Sequence, residues 1–219
     1  MTSMKTFFQL KNKPNRLLPD KFRSNDVRFP ENLVEHLLSE FTKEGDVVLD
    51  PFTGFGTTML VAEAMNRVPY GIEYDKAQFD YVQSLLTHPA RLLNGDALKL
   101  SSYDIPTIDF SLSSPPYMGE QDTQNPFTAY RESGRGYQHY LADIASVYKQ
   151  VGRLLKPNAK VVIEVSNVKQ PRGVTTLAWD VGKAVSGILS FDGEIVIGWS
   201  PTYGMGYDHS YCLVFSAKK

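Results

Sequence analysis

The sequence predicts an α/β protein built on a doubly wound, mostly parallel sheet, and three observations carry that expectation. Short apolar runs alternate with longer amphipathic ones along most of the chain, the pattern of strands joined by crossover helices. The last two apolar runs, GEIVIGWS (193–200) and SYCLVFSA (210–217), have no helical segment between them, so they should pair antiparallel at one edge. The length, 219 residues, suits one full-sized core.

Each element has its own signal. PENLVEHLLSEFTK opens with Pro30 at the first helical position, and Leu33, Val34, Leu37, Leu38 and Phe41 form one apolar stripe. DVVLD (46–50) reads as a short buried strand. TTMLVAEAMNR (57–67) reads as a helix with Thr57 or Thr58 near its N-cap. VPYGIEYD (68–75) is a strand followed by a helix to about residue 86. ARLLNGD (90–96) and TIDFSL (107–112) are the third and fourth strands. YLADIASVYKQVGRLLK (140–156) is an amphipathic helix ended by Pro157. AKVVIEVSN (159–167) is a fifth strand and TTLAWDVGKAVSGIL (175–189) a helix, before the closing pair. The expected sheet therefore has seven strands, the last one antiparallel.

Composition bounds the function. Hydrophobic residues make up 42% and charged residues 21%, as in a globular domain, and no apolar run reaches the roughly 18 residues of a membrane span. The N-terminal MTSMKTFFQLKNKP has too short an apolar stretch for a secretory signal. The single Cys212 leaves no internal disulfide or multi-cysteine metal site and suits a reducing, cytoplasmic setting. The four histidines show no metal-ligand spacing, so no metal is expected. Net charge is −1, which by itself says nothing about partners, but residues 1–28 hold seven basic side chains against two acidic ones. That segment is expected to be a basic arm ahead of the main domain at 29–219. Lys11, Lys13 and Arg16 are its candidates for phosphate contact; the alternative is a solvated tail.

Ligands in doubly wound sheets bind at the carboxyl ends of the strands. Here those ends read LDPFTGFGTT, GIEYD, NGDA and SSPPY. Gly54 and Gly56 allow a sharp turn and close approach of a ligand to the backbone. The turn feeds a helix whose free amides, with Thr57, can hold an anion. The third glycine of a dinucleotide fingerprint is missing, and no Gly-Lys-Ser/Thr follows. Glu73 could accept both hydroxyls of a ribose, Asp96 an adenine amino group, and Asp50 could orient the glycine loop. Each also has a plain reading as a loop acid or a cap, and Pro-Pro ends strands in many proteins. Their succession at four strand ends in order favours a site.

At these residues the chain resembles the amino-methyltransferases, which move a methyl group from S-adenosylmethionine to an exocyclic amine of a nucleic-acid base. Residues 50–57 match the family's D-P-F-x-G-x-G-T cofactor loop, and Ser114-Pro115-Pro116-Tyr117 its catalytic tetrapeptide. RFPENLVEHLL (28–38) looks like its cofactor-flanking helix. The resemblance implies a Rossmann-like fold, S-adenosylmethionine as cofactor, and a cofactor site of Asp50, Phe52, Gly54, Gly56, Thr57, Glu73 and Asp96. In that site Phe52 would wall the pocket between cofactor and base. It implies catalysis by Ser114 Oγ and the Pro115 carbonyl as acceptors for the amine, held by Pro115 and Pro116, with Tyr117 stacked on the base.

Serine at the head of the tetrapeptide points to cytosine N4; the alternatives are adenine N6, an RNA amine, and a non-catalytic cofactor-binding subunit. DNA is expected ahead of RNA as partner, with no membrane, and a homodimer is compatible with this reading. The resemblance implies a separate target-recognition region, which such enzymes usually carry, and a setting in restriction-modification. The nearest segment to such a region here is MGEQDTQNPFTAYRESGRGYQH (118–139), with Arg131 and Arg135.

Overall fold

The computed structural model describes residues 5–24, 26–202 and 206–218. In chain order the elements are β1 (Phe7–Lys11), the single turn α1 (Asp20–Arg23), α2 (Glu31–Phe41), β2 (Val47–Asp50), α3 (Thr57–Ala64), β3 (Val68–Glu73), α4 (Lys76–Gln83) and β4 (Leu92–Asn94). They continue with β5 (Ile108–Ser113), α5 (Tyr137–Leu154), β6 (Leu155–Val165), β7 (Val168–Gln170), β8 (Gly173–Thr175), α6 (Leu177–Ser186), β9 (Ser190–Ser200) and β10 (His209–Ser216).

The main sheet runs β1-β9-β10-β6-β5-β2-β3-β4, and β7 and β8 form a separate hairpin. β2 pairs parallel with β3 and β5, β3 with β4, and β5 with β6. β10 is antiparallel to both β6 and β9 and is the one reversed strand of the main sheet among the described residues. The expected seven strands are all present. The difference is an eighth: Phe7–Lys11 of the basic arm add to the sheet edge, pairing parallel with Val196–Ser200 of β9. Phe8 turns inward and is buried while Phe7 and Gln9 face out, the two-residue alternation of a half-buried strand.

Parallel strands buried on both faces need two layers of helix. On one face Leu49, Ile72, Ile108, Val161, Ile163 and Val165 pack with Ile144, Val147 and Val151 of α5 and Val181 and Val185 of α6. On the other, Val48, Phe110, Leu112 and Val162 meet Leu33, Val34, Leu37 and Leu38 of α2. The stripe predicted for α2 is thus the buried face, though Pro30 sits at the N-cap and the helix begins at Glu31. Among the described residues no helix is long and apolar enough to cross a membrane.

Candidate active site

The parallel register places the ends of β2, β3, β4 and β5 on one rim, where Asp50, Glu73, Asn94 and Ser113 are the last strand residues; Glu73 pairs directly with Asn94, while Asp50 pairs with Gly71. After β2 the chain turns through Phe52–Gly56 into α3. Gly56 is the N-cap of that helix, in place of the expected threonine, with a left-handed φ of 81°. The two loop glycines differ in what their missing side chains would meet. At Gly54, φ 54°, a Cβ would have nothing nearer than 4.0 Å. At Gly56 it would lie 2.5 Å from Val82 Cγ1, so this glycine lets α4 pack against the loop and does not face an open cleft.

Glu73 is buried at the end of β3. Its Oε2 accepts the Gly54 amide at 2.7 Å and its Oε1 the Asp75 amide at 2.7 Å. The carboxylate therefore holds the glycine loop onto the next strand, and each oxygen keeps a second acceptor direction. Burial pushes its carboxyl up to about 7, against the opposing pull of those amides. Asp50 is also buried; burial raises it to about 6 although Ser113 and the Phe52 amide donate to it. Asp96 is half-buried and caps a short 3-10 turn, Oδ1 accepting from the Leu98 amide at 2.9 Å, so its other oxygen remains for a donor. The plain cap reading and the binding reading of Asp96 are thus compatible. Thr57 Oγ1 is buried without a hydrogen-bond partner among the described residues.

The tetrapeptide follows β5 directly. Ser114 is half-buried, and neither its Oγ nor the Pro115 carbonyl has a hydrogen-bond partner among the described residues. The next two carbonyls are occupied: Pro116 O accepts from Tyr140 Oη at 3.0 Å and Tyr117 O from Tyr130 Oη at 2.6 Å. Tyr117 is tied at its far end as well, its hydroxyl accepting the Ser166 amide at 2.8 Å. Phe52 meets Phe127 edge-on with ring centres 5.7 Å apart.

The residues expected to meet nucleic acid have divided environments. Lys11, the last residue of β1, and Lys13 are exposed, as is Arg135. Arg131 is ion-paired with Asp75, the N-cap of α4. Arg16 faces inward: it donates to the Phe55 carbonyl at 2.5 Å and to Tyr81 Oη at 2.6 Å, gripping the glycine loop. Leu18, Phe22 and Phe55 form a small buried cluster beside it.

Sequence reasoning missed Ser113, Asp75, Tyr130 and Tyr140. Ser113 lies in SSPPY, and the phenols carry no local signal in the sequence.

A buried acid at the end of β3 that can take two more donors, a second acid with a free oxygen at the end of β4, and open space over Gly54 together fit a ribose and an adenine amine. Residues 6–84 match the family model described as DNA methylase. The chain is 40% identical over 61 residues to the type II methyltransferase M.BglII of Bacillus subtilis, covering 28% of this chain and 17% of that one. It is 49% identical over 47 residues to M2.DpnII of Streptococcus pneumoniae, covering 22% and 18%. The match thus spans less than a quarter of either relative's length.

Among solved structures, TrmN from Thermus thermophilus superposes with a TM-score of 0.64 at 18% identity, over 90% of this chain and 52% of that one. A TehB-like S-adenosylmethionine-dependent methyltransferase from Corynebacterium glutamicum gives 0.58 at 15%, over 90% and 93%. These likenesses show the fold. The sequence match covers the glycine loop and both acids that hold it: over residues 6–84 the chain is similar to the DNA methylases, which supports S-adenosylmethionine as its cofactor.

Proposed function

We propose that the protein methylates an exocyclic amine of a DNA base, with cytosine N4 as the target ahead of adenine N6. The observation that carries this reading is the pair of unengaged acceptors, Ser114 Oγ and the Pro115 carbonyl, between two carbonyls and a carboxylate that are already bonded.

An exocyclic amine is a poor nucleophile because its lone pair is delocalised into the ring. Two acceptors fixed around its N–H groups draw it toward tetrahedral geometry and stabilise positive charge as it develops. When bound, S-adenosylmethionine supplies the electrophilic methyl group. Glu73 and Asp96 would hold its ribose and adenine, with the backbone at Gly54 lying against it. The protein's part is chiefly positioning. A duplex base must leave the stack to reach Ser114, and Tyr117 offers a ring for it to stack on. A serine hydroxyl is a neutral acceptor, and the cytosine ring nitrogen beside the amine can share the work of orienting it; adenine offers a similar ring nitrogen, so adenine N6 stays the second target.

Expression in a methylation-free host followed by mass spectrometry of DNA and RNA nucleosides tests the reading. N4-methylcytosine in DNA is expected. N6-methyladenine alone would transfer the reading to adenine, a methylated RNA amine would remove DNA as substrate, and no methylated base would overturn it.

A further inference from the structure

The two prolines of the tetrapeptide have no N–H, so Pro115 and Pro116 can be held in place by hydrogen bonds only through their carbonyls. The fold meets this with two phenols from outside the motif. Tyr140 is buried on α5 and donates to Pro116 O at 3.0 Å. Tyr130 donates to Tyr117 O at 2.6 Å from the turn that follows Pro126–Thr128. That turn is strained: Ala129 and Tyr130, neither a glycine, both have left-handed backbone, φ 53° and 60°. Two successive such residues persist only where the surroundings over-determine them, and such strain collects at functional sites. Here the surroundings are visible. Phe127 is buried between Phe52 and Tyr140, Arg131 pairs with Asp75, and the Asn125 carbonyl accepts the Tyr130 amide at 3.1 Å.

Resting on the methyltransferase reading above, we infer that Tyr130 and Tyr140 are positioning residues that clamp the carbonyls after Pro115, so that Ser114 Oγ and the Pro115 carbonyl alone face the target amine. Without the clamp, the Pro116 and Tyr117 carbonyls are free to rotate toward a donor, and the acceptor pair loses its fixed geometry. Burial, with the Asp122 carboxylate adding to it, pushes the Tyr130 phenol up to about 12, so it remains a donor throughout the neutral range.

The test uses the full-length protein with S-adenosylmethionine and a DNA duplex that the wild type methylates. Tyr130→Phe and Tyr140→Phe should each lower the single-turnover methylation rate on the order of tenfold, with cofactor affinity and KM for DNA within about twofold of wild type. A double-mutant cycle of Tyr130→Phe with Ser114→Ala separates positioning from general support. If Tyr130 acts by placing the acceptor pair, its effect shrinks once Ser114 Oγ is gone. A wild-type rate in Tyr130→Phe, or losses that multiply independently in the double variant, overturns the clamp while leaving the methyltransferase reading intact. A wild type that methylates nothing overturns that reading instead.

Discussion

The hydroxyl of Ser113 donates to the buried carboxylate of Asp50, joining the last residue of β5 to the last residue of β2. One hydrogen bond thus ties the glycine loop to the tetrapeptide, since Asp50 opens that loop and Ser113 precedes Ser114. Burial has already raised the Asp50 carboxyl from 3.8 to about 6, so its charged form depends on the donors it has. Ser113→Ala should lower stability by about 1.5–3 kcal/mol when Asp50 is ionised. The loss should be small below about pH 6, where Asp50 is protonated in both proteins, and should grow as pH rises, becoming full only above the variant's own value, which lies higher because a donor that lowers it is gone. Urea denaturation at about pH 5 and about pH 8 measures the difference. An equal loss at both would show that Ser113 acts through packing alone.

The loop glycines should separate on substitution. Gly56→Ala places a Cβ 2.5 Å from Val82 at a left-handed φ of 81°, combining a clash with backbone strain. We expect the melting temperature to fall and Val82→Ala to restore part of it, since only the clash is relieved. Gly54→Ala has space, so it should carry only the strain of its φ of 54° and leave a folded protein. Its cofactor affinity should nevertheless fall, because the added methyl stands where a ligand would lie. Calorimetric titration of the folded Gly54→Ala protein with S-adenosylmethionine checks this, and unchanged affinity would remove Gly54 from the site.

Much of the site is legible in the sequence because it is local. Asp50, Gly54 and Gly56 lie within one turn, Ser114–Tyr117 within another, and Glu73 and Asp96 each end an apolar run. The helical stripe of α2 and the unseparated final strands are read in the same way, from periodicity and spacing. What was not legible depends on contacts between distant residues. β1 is five residues long, and its partner Val196 lies 189 positions from Phe7, so its alternation alone does not distinguish an edge strand from a tail. Tyr140 reaches Pro116 across 24 residues, and Ala129 and Tyr130 take a glycine-like backbone with no glycine to announce it. Basic charge misleads for the same reason: Arg16 counts as one cation of an arm, but its geometry is that of a clasp.

If Glu73 holds the ribose, cofactor binding should be pH-dependent. Its carboxylate is the form that can accept ribose hydroxyls while holding the Gly54 and Asp75 amides, and burial puts its carboxyl at about 7. Affinity for S-adenosylmethionine should therefore be highest above about pH 7 and fall below it, approaching tenfold per pH unit, with a proton released on binding near neutrality. The cofactor-free protein should move the other way. Its carboxyl is raised above the ordinary 4.5, so the folded state binds the proton more readily, and this group's contribution to stability declines as pH rises from about 4.5 to about 7. Titration calorimetry in buffers of different ionisation enthalpy reads the proton directly; no proton release at pH 7 would show that Glu73 is already ionised in the free protein.

Arg16 and the exposed lysines should give opposite signatures. Arg16 spends its guanidinium on the Phe55 carbonyl and Tyr81 Oη, and its own carbonyl accepts from Arg28. Arg16→Ala should therefore loosen the glycine loop and lower cofactor affinity on the order of tenfold, by loss of charge-assisted hydrogen bonds. The salt dependence of DNA binding should not change, because that guanidinium neutralises no phosphate. Lys11 and Lys13 are exposed at the end of the edge strand and just beyond it. If they contact phosphates, the double variant Lys11→Ala/Lys13→Ala should keep wild-type cofactor affinity and reduce the slope of log affinity against log salt by about 1 to 2. Fluorescence anisotropy with a labelled duplex over a range of salt gives both slopes. An unchanged slope in the lysine variant would leave those side chains as solvent-facing residues of the sheet edge. A flattened slope in Arg16→Ala would show that the guanidinium leaves the loop and turns to the DNA.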